Sequence, residues 1–108
     1  MRLLNFRETA RFTRRMLEYL GDKEYAQLQW YLLRNPEAGD LIQAGGGIRK
    51  VRWTVAGKGK RGGTRVIYYL AAARGTFFML DIYAKSEKED LTPNELKELR
   101  RLVKEWLS

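Results

Sequence analysis

Residues 65–83 read RVIYYLAAARGTFFMLDIY, and this stretch decides the fold. Its two halves, Arg65–Leu70 and Thr76–Tyr83, are rich in β-branched and aromatic residues, which predicts two strands. Ala71–Gly75 contains small residues and a glycine, which predicts a turn. Because short connections join antiparallel neighbours, the stretch is expected to form a hairpin.

A third strand precedes this hairpin. Within residues 50–55 the odd positions are apolar and the even positions are polar, so that Val51, Trp53 and Val55 share one face. A loop over Gly57–Gly63, with four glycines, joins this strand to the hairpin. The three strands together predict an antiparallel meander.

The N-terminal part predicts a short edge strand and two helices. Met1–Phe6 is a short apolar segment, and Arg7–Leu20 has apolar residues at helical spacing. Gly21 is expected to stop the first helix and Asp22 to cap the second. Asn35-Pro36 ends the second helix, because the residue before proline disfavours helical backbone. The pair predicts an αα-hairpin.

The last helix has the clearest start signal in the chain. Thr92, Pro93 and Glu95 form a capping box with proline at the first helical position. The predicted fold is therefore a single α+β domain over residues 1–108, in the order β-α-α-β-β-β-α. A helical hairpin packs on a small antiparallel sheet, and a C-terminal helix follows.

Composition excludes several classes of site. The chain has no cysteine and no histidine, which predicts no disulfide, no metal site and no cofactor bound through them. No leader-like apolar run and no membrane-spanning stretch stand out. A soluble, cytoplasmic protein without a membrane partner is expected.

The positive charge is concentrated in the middle of the chain. The formal net charge is +8, and eight Lys and Arg with no acid lie between Asp40 and Asp81. Outside this block the basic and acidic residues are equal in number and cancel. Charge segregated in this way indicates a polyanionic partner, most naturally nucleic acid.

Two groups of residues within or beside the block are candidates for chemistry. The glycine-rich loop supplies Lys58, Lys60 and Arg61, whose charges can neutralise a phosphate while backbone amides approach it; a solvated hairpin loop is the alternative. The strands supply a second group that can converge on one patch: Lys50, Arg52, Arg65, Tyr83 and Lys85. A surface ion pair for Arg65 and a half-buried strand aromatic for Tyr83 are the alternatives.

Ribonuclease chemistry needs a base for the 2′-hydroxyl, cations for the phosphorane and an acid for the leaving 5′-oxygen. Without histidine, the lysines Lys58, Lys60 and Lys85 are candidates for proton transfer, because neighbouring cations lower a lysine pKa. Tyr83 is the other candidate. The arginines suit phosphate binding, and Arg74, in the turn of the hairpin, is included with Lys50, Arg52 and Arg61 as RNA-binding.

Three segments together resemble the RelE/ParE superfamily of bacterial toxins, most of all its HigB-type branch: Gly46–Arg52, Gly57–Tyr69 and Leu80–Thr92. The resemblance implies a toxin that enters the ribosomal A site and cuts mRNA by 2′-hydroxyl attack without metal. It implies a cognate antitoxin as partner. By position it gives Lys50 and Arg52 as paired basic residues, Arg65 as the holder of the scissile phosphate, and Lys85 at the end of the last strand.

The chain departs from the family pattern at three points. Ser86 stands where RelE proteins have an arginine, no tyrosine follows Tyr83, and the histidines of some HigB toxins are absent. Two alternatives therefore stay open beside the endonuclease. One is a ParE-like gyrase inhibitor, and the other is an RNA-binding module without catalysis.

Overall fold

A computed structural model describes residues 5–54 and 63–108. None of the helices in these residues is long and apolar enough to cross a bilayer. The elements follow one another along the chain as β1 (Asn5–Glu8), α1 (Ala10–Tyr19), α2 (Asp22–Arg34), β2 (Asp40–Leu41), β3 (Arg49–Trp53), β4 (Thr64–Ala71), β5 (Thr76–Ala84) and α3 (Pro93–Leu107).

The predicted meander is confirmed, but the sheet is mixed. Its strand order is β1-β5-β4-β3-β2, and β3, β4 and β5 run antiparallel. The expectation of a purely antiparallel sheet is wrong, because β1 pairs in parallel with β5, with Asn5 opposite Thr76. β2 adds a two-residue strand beside β3 that the predicted element order lacked. The outer edge of β5 would otherwise be unpaired, and β1 supplies its hydrogen bonds.

The α+β class is also confirmed, with helices on both faces of the sheet. On one face, Phe12 of α1 and Leu28 of α2 are fully buried against Phe77 and other strand residues. On the other face, Leu99 of α3 packs against a second set that includes Tyr83. Successive strand side chains point to opposite faces, so β4 and β5 supply buried residues to both cores. A functional group on the α3 face is therefore set among packed neighbours.

The helix termini confirm one predicted cap, correct another, and move the start of the first helix. Thr92 accepts a hydrogen bond from the Glu95 amide at 3.1 Å, as its capping box predicts. The first helix begins after Thr9 and not at Arg7, because residues up to Glu8 belong to β1. Gly21, whose φ is −80°, is the N-cap of α2 in place of Asp22, and its N–H donates to the Glu24 carboxylate at 2.7 Å.

A β-bulge places Asp81 at the open edge of β5. Ile67 pairs with Asp81 whereas Tyr68 pairs with Met79, so the β5 strand carries one extra residue. The Asp81 carboxylate is 1% exposed and lies 3.6 Å from the guanidinium of Arg15. Arg15 also donates to the Ile82 carbonyl at 2.8 Å, beyond the part of β5 that β1 covers. The bulge and α1 thus together cover the part of the β5 edge that β1 does not pair with.

The titration of Asp81 gives the fold a testable pH dependence. Burial raises the pKa of its carboxyl, although the Ile82 amide and the guanidinium groups of Arg11 and Arg15 act in the opposite direction. The folded protein therefore holds this proton more tightly than the unfolded chain. The stability that protonated Asp81 contributes is fully present below the pKa that its carboxyl has in the unfolded chain. This contribution is lost as pH rises through the pKa of the same carboxyl in the folded protein.

We expect Asp81→Asn to gain stability relative to the native protein as pH rises from about 3 to about 6, since a tenfold change in proton affinity corresponds to about 1.4 kcal/mol. Urea unfolding of both proteins across this range measures the difference. Glu18→Gln, an exposed change on α1, is the matched control. A difference that is independent of pH, or that falls as pH rises, would contradict this account of Asp81.

Candidate nucleic-acid interface

The sheet brings three of the predicted site residues into one row. Arg52 of β3 lies opposite Arg65 of β4, and Arg65 lies opposite Tyr83 of β5. Their neighbours Val51, Val66 and Ile82 are buried under α1 and α2, so the row faces the α3 side of the sheet. Directly opposite side chains are about 5 Å apart at Cβ. The predicted convergence of these residues is therefore present.

Exposure changes sharply along the row. Arg52 is exposed, Arg65 is 5% exposed, and Tyr83 is fully buried. The Arg65 charge acts on the Tyr83 hydroxyl and favours its ionised form. The row thus has an accessible cationic end on β3 and a shielded end on β5.

Tyr83 combines burial with an unused hydroxyl. In the described part of the chain, this hydroxyl has no hydrogen-bond partner. Burial raises the pKa of Tyr83 to about 12, and the carboxylates of Asp90 and Asp81 act in the same direction. Arg65 opposes this shift. At neutral pH the phenol is therefore protonated, and it can donate a proton but not accept one.

The segment between β5 and α3, residues 85–92, covers Tyr83. The ammonium of Lys88 lies 4.9 Å from the centre of the Tyr83 ring, which is a cation–π contact, and it also pairs with Glu95 at 2.6 Å. Two residues further on, Asp90 forms an ion pair with Lys50 of β3. Both contacts hold the segment against the α3 face of the sheet.

A cavity of about 340 Å³ lies next to this ion pair. Lys50, Tyr83 and Asp90 line one part of it. The remaining wall comes from the β2 region and from the start of α3, namely Asp40, Leu41, Ile42, Gln43, Leu91 and Leu96. The wall of the cavity therefore carries one cation, Lys50, and two carboxylates, Asp40 and Asp90, next to apolar side chains.

The whole chain matches a known protein family. A family model described as the RelE toxin of the RelE/RelB toxin–antitoxin system matches residues 1–108. The chain belongs to the RelE toxin family. The protein is thus a toxin of a toxin–antitoxin system, and its family partner is an antitoxin.

Another candidate cation of this RelE-family toxin, Lys85, lies just beyond the row. Lys85 follows β5 and is exposed, and its backbone N–H donates to the Gly63 carbonyl at 3.1 Å. This contact places Lys85 beside the chain that leads into β4. The three loop candidates, Lys58, Lys60 and Arg61, lie outside the described residues.

Arg74 is at the other end of the hairpin. It follows β4 and precedes β5, whereas the row uses the opposite ends of these strands. Its guanidinium donates to the carbonyl oxygens of Trp106 and Leu107, the latter at 2.6 Å, and so holds the C-terminal end of α3. Its predicted RNA contact belongs to a surface separate from the row.

Sequence reasoning missed Asp90 and Lys88 as members of the toxin's site. The predicted site took its cations from the central block and from Lys85 just beyond it, and it gave no role to Lys88 or Asp90. For Asp90, an available signal was the group of three acids within residues 87–90, which begins two residues after Lys85. Acids so close to a cationic patch favour ion pairs with it.

Proposed function

We propose that this RelE-family toxin is an endoribonuclease that cuts mRNA in the ribosomal A site, without a metal ion, and so inhibits translation. The observation that carries the proposal is the in-register row of Arg52, Arg65 and Tyr83 on three neighbouring strands. It sets two permanent cations beside a protonated phenol. Such a set can bind a phosphodiester and supply a proton next to it.

Each part of the row has a role in cleavage by 2′-hydroxyl attack. The attacking oxygen forms a bond to phosphorus, and its proton passes to a base. Arg65 holds the phosphate and stabilises the additional negative charge of the phosphorane. Tyr83 donates its proton to the 5′-oxygen as the bond from phosphorus to that oxygen breaks. The lysines Lys58, Lys60 and Lys85 are the candidates for the base, and Lys50, Arg52 and Arg61 position the RNA.

The same proposal includes the cellular setting. The toxin acts in the cytoplasm, where ribosomes and mRNA are present, and its cognate antitoxin neutralises it. The segments Gly57–Tyr69 and Leu80–Thr92 support placement in the HigB-type branch by their resemblance. No cofactor takes part.

Mapping mRNA 5′ ends on translating ribosomes tests the proposal. Purified toxin is added to a translation reaction and, separately, to the same mRNA without ribosomes. We expect new 5′ ends at codon positions in the A site, and only with ribosomes present. Arrest of translation without new ends would indicate an RNA-binding inhibitor. Unaffected translation with DNA damage in cells would indicate a gyrase inhibitor.

A further inference from the structure

The ion pair between Lys50 and Asp90 joins two residues of unequal exposure. The side chain of Lys50 is 27% exposed, whereas that of Asp90 is 68% exposed. Exposed ion pairs contribute little to stability, because water and salt screen them and two side chains must be held in place. An anion that binds Lys50 more strongly can therefore displace the Asp90 carboxylate.

The adjoining cavity has groups for the parts of a nucleotide, and its wall also carries the Asp40 carboxylate, which lies directly opposite Lys50 on β2. Lys50 provides a cation for a phosphate, and Ile42 and Leu96 provide apolar surface for a base. Gln43 and Asp40 provide oxygen acceptors for the amino groups of a base. The volume of about 340 Å³ lies within the range of small-molecule sites.

The hydroxyl of Tyr83 is an independent observation that points to a ligand. It belongs to a fully buried side chain lining the cavity, and within the described residues it has no hydrogen-bond partner. An unmade hydrogen bond at a buried hydroxyl costs stability, and natural proteins seldom accept that cost without a use for the group. A phosphate oxygen bound in this cavity, which both Lys50 and Tyr83 line, would be an acceptor of the kind this hydroxyl lacks.

We propose that this cavity is an RNA nucleotide subsite and that the Asp90 carboxylate occupies its phosphate position in the free toxin. The proposal rests on the proposed function in taking RNA as the ligand. An incoming phosphate displaces Asp90 from Lys50. Residues 85–91 then move away from the sheet, and the Tyr83 hydroxyl meets the phosphate. The free toxin is therefore closed, and its substrate opens it.

Removing the Asp90 charge tests this proposal, with Glu89→Gln as the matched control. Both substitutions remove one negative charge from adjacent exposed residues, and among the described residues only Asp90 is paired with Lys50. The probe is a short single-stranded RNA whose riboses carry 2′-O-methyl groups, which block cleavage. Fluorescence anisotropy measures its affinity over a series of salt concentrations.

We expect Asp90→Asn to bind this RNA about fivefold more tightly than Glu89→Gln, which is the scale of one exposed ion pair. The logarithm of affinity should also fall more steeply with the logarithm of salt concentration, by about 0.7, because Lys50 then releases a counterion on binding. The double variant Lys50→Ala, Asp90→Asn should lose the gain. Equal affinity for Asp90→Asn and Glu89→Gln, or weaker binding by Asp90→Asn, would overturn the subsite.

A second measurement does not depend on RNA. Amide hydrogen exchange of residues 85–91 in the free protein should be faster in Asp90→Asn than in Glu89→Gln, because the segment has lost its contact with Lys50. Faster exchange in Asp90→Asn would show that Asp90 holds residues 85–91 against the sheet. If no variant then bound RNA, RNA would be refuted as the ligand. If Asp90→Asn and Glu89→Gln showed the same exchange and the same RNA affinity, the role of Asp90 would be overturned. The binding of RNA by the toxin would not be affected by that result.

Discussion

Arg65→Gln is expected to lower mRNA cleavage about 100-fold, which is the effect of removing one preorganised group that stabilises a charged transition state. Arg65 is the central member of the row, between Arg52 and Tyr83, and it is 5% exposed. In such a shielded position its charge acts on a phosphorane with less screening than a surface cation would. Glutamine keeps a hydrogen-bonding group but not the charge.

The measurement is the rate at which new 5′ ends appear on translating ribosomes. Arg65→Lys keeps the charge without the planar guanidinium, so an intermediate rate is expected. Arg14→Gln removes the same charge from an exposed position on α1 and should leave the rate unchanged. Urea unfolding shows whether each variant is folded. A folded Arg65→Gln with full activity would show that the phosphate is held elsewhere.

Tyr83→Phe is expected to have opposite effects on activity and on stability. Cleavage should fall about 100-fold if the phenol is the general acid. The free energy of unfolding should rise by about 1 kcal/mol, because the native hydroxyl is buried and, in the described residues, unpaired. If Tyr83 served only in packing, removing its hydroxyl would not lower cleavage while raising stability. Functional groups are commonly retained at a cost in stability.

Tyr69→Phe is the control for this pair of measurements. Tyr69 belongs to β4 and packs in the same α3-side core, where it is partly buried. Its substitution should leave cleavage unchanged. Loss of both stability and activity in Tyr83→Phe would indicate a structural role for the hydroxyl. Full activity would exclude Tyr83 as the acid.

Local patterns in the sequence predicted much of the fold. The meander follows from strand composition and short connections, and α3 follows from the capping box at Thr92, because each signal acts between residues close in the chain. Period-two alternation also predicts the face on which Lys50 and Arg52 lie, whereas the row itself depends on the register of β3, β4 and β5.

Contacts between distant segments could not be predicted from these patterns. The apolar N-terminal segment indicated a strand but not its parallel partner, because nothing local distinguishes one sheet edge from another. Tyr83 packs in one core with Leu99 of α3, and Lys88 lies over its ring, so its surroundings come from segments that follow it in the chain. The bulge at Asp81 likewise depends on the pairing of β4 with β5.

The parallel pairing of β1 with β5 sets an order of events during synthesis. Residues 5–8 leave the ribosome early, but their partners at 76–79 emerge only after the rest of the sheet. Until then the helical hairpin has no complete sheet to pack on, and such long-range pairing is intrinsically slow. A nascent chain that ends before Thr76 lacks the partner of β1, and one that ends before Tyr83 lacks the last member of the row. On the function proposed above, a nascent toxin can therefore cleave mRNA only after β5 has been added to the sheet.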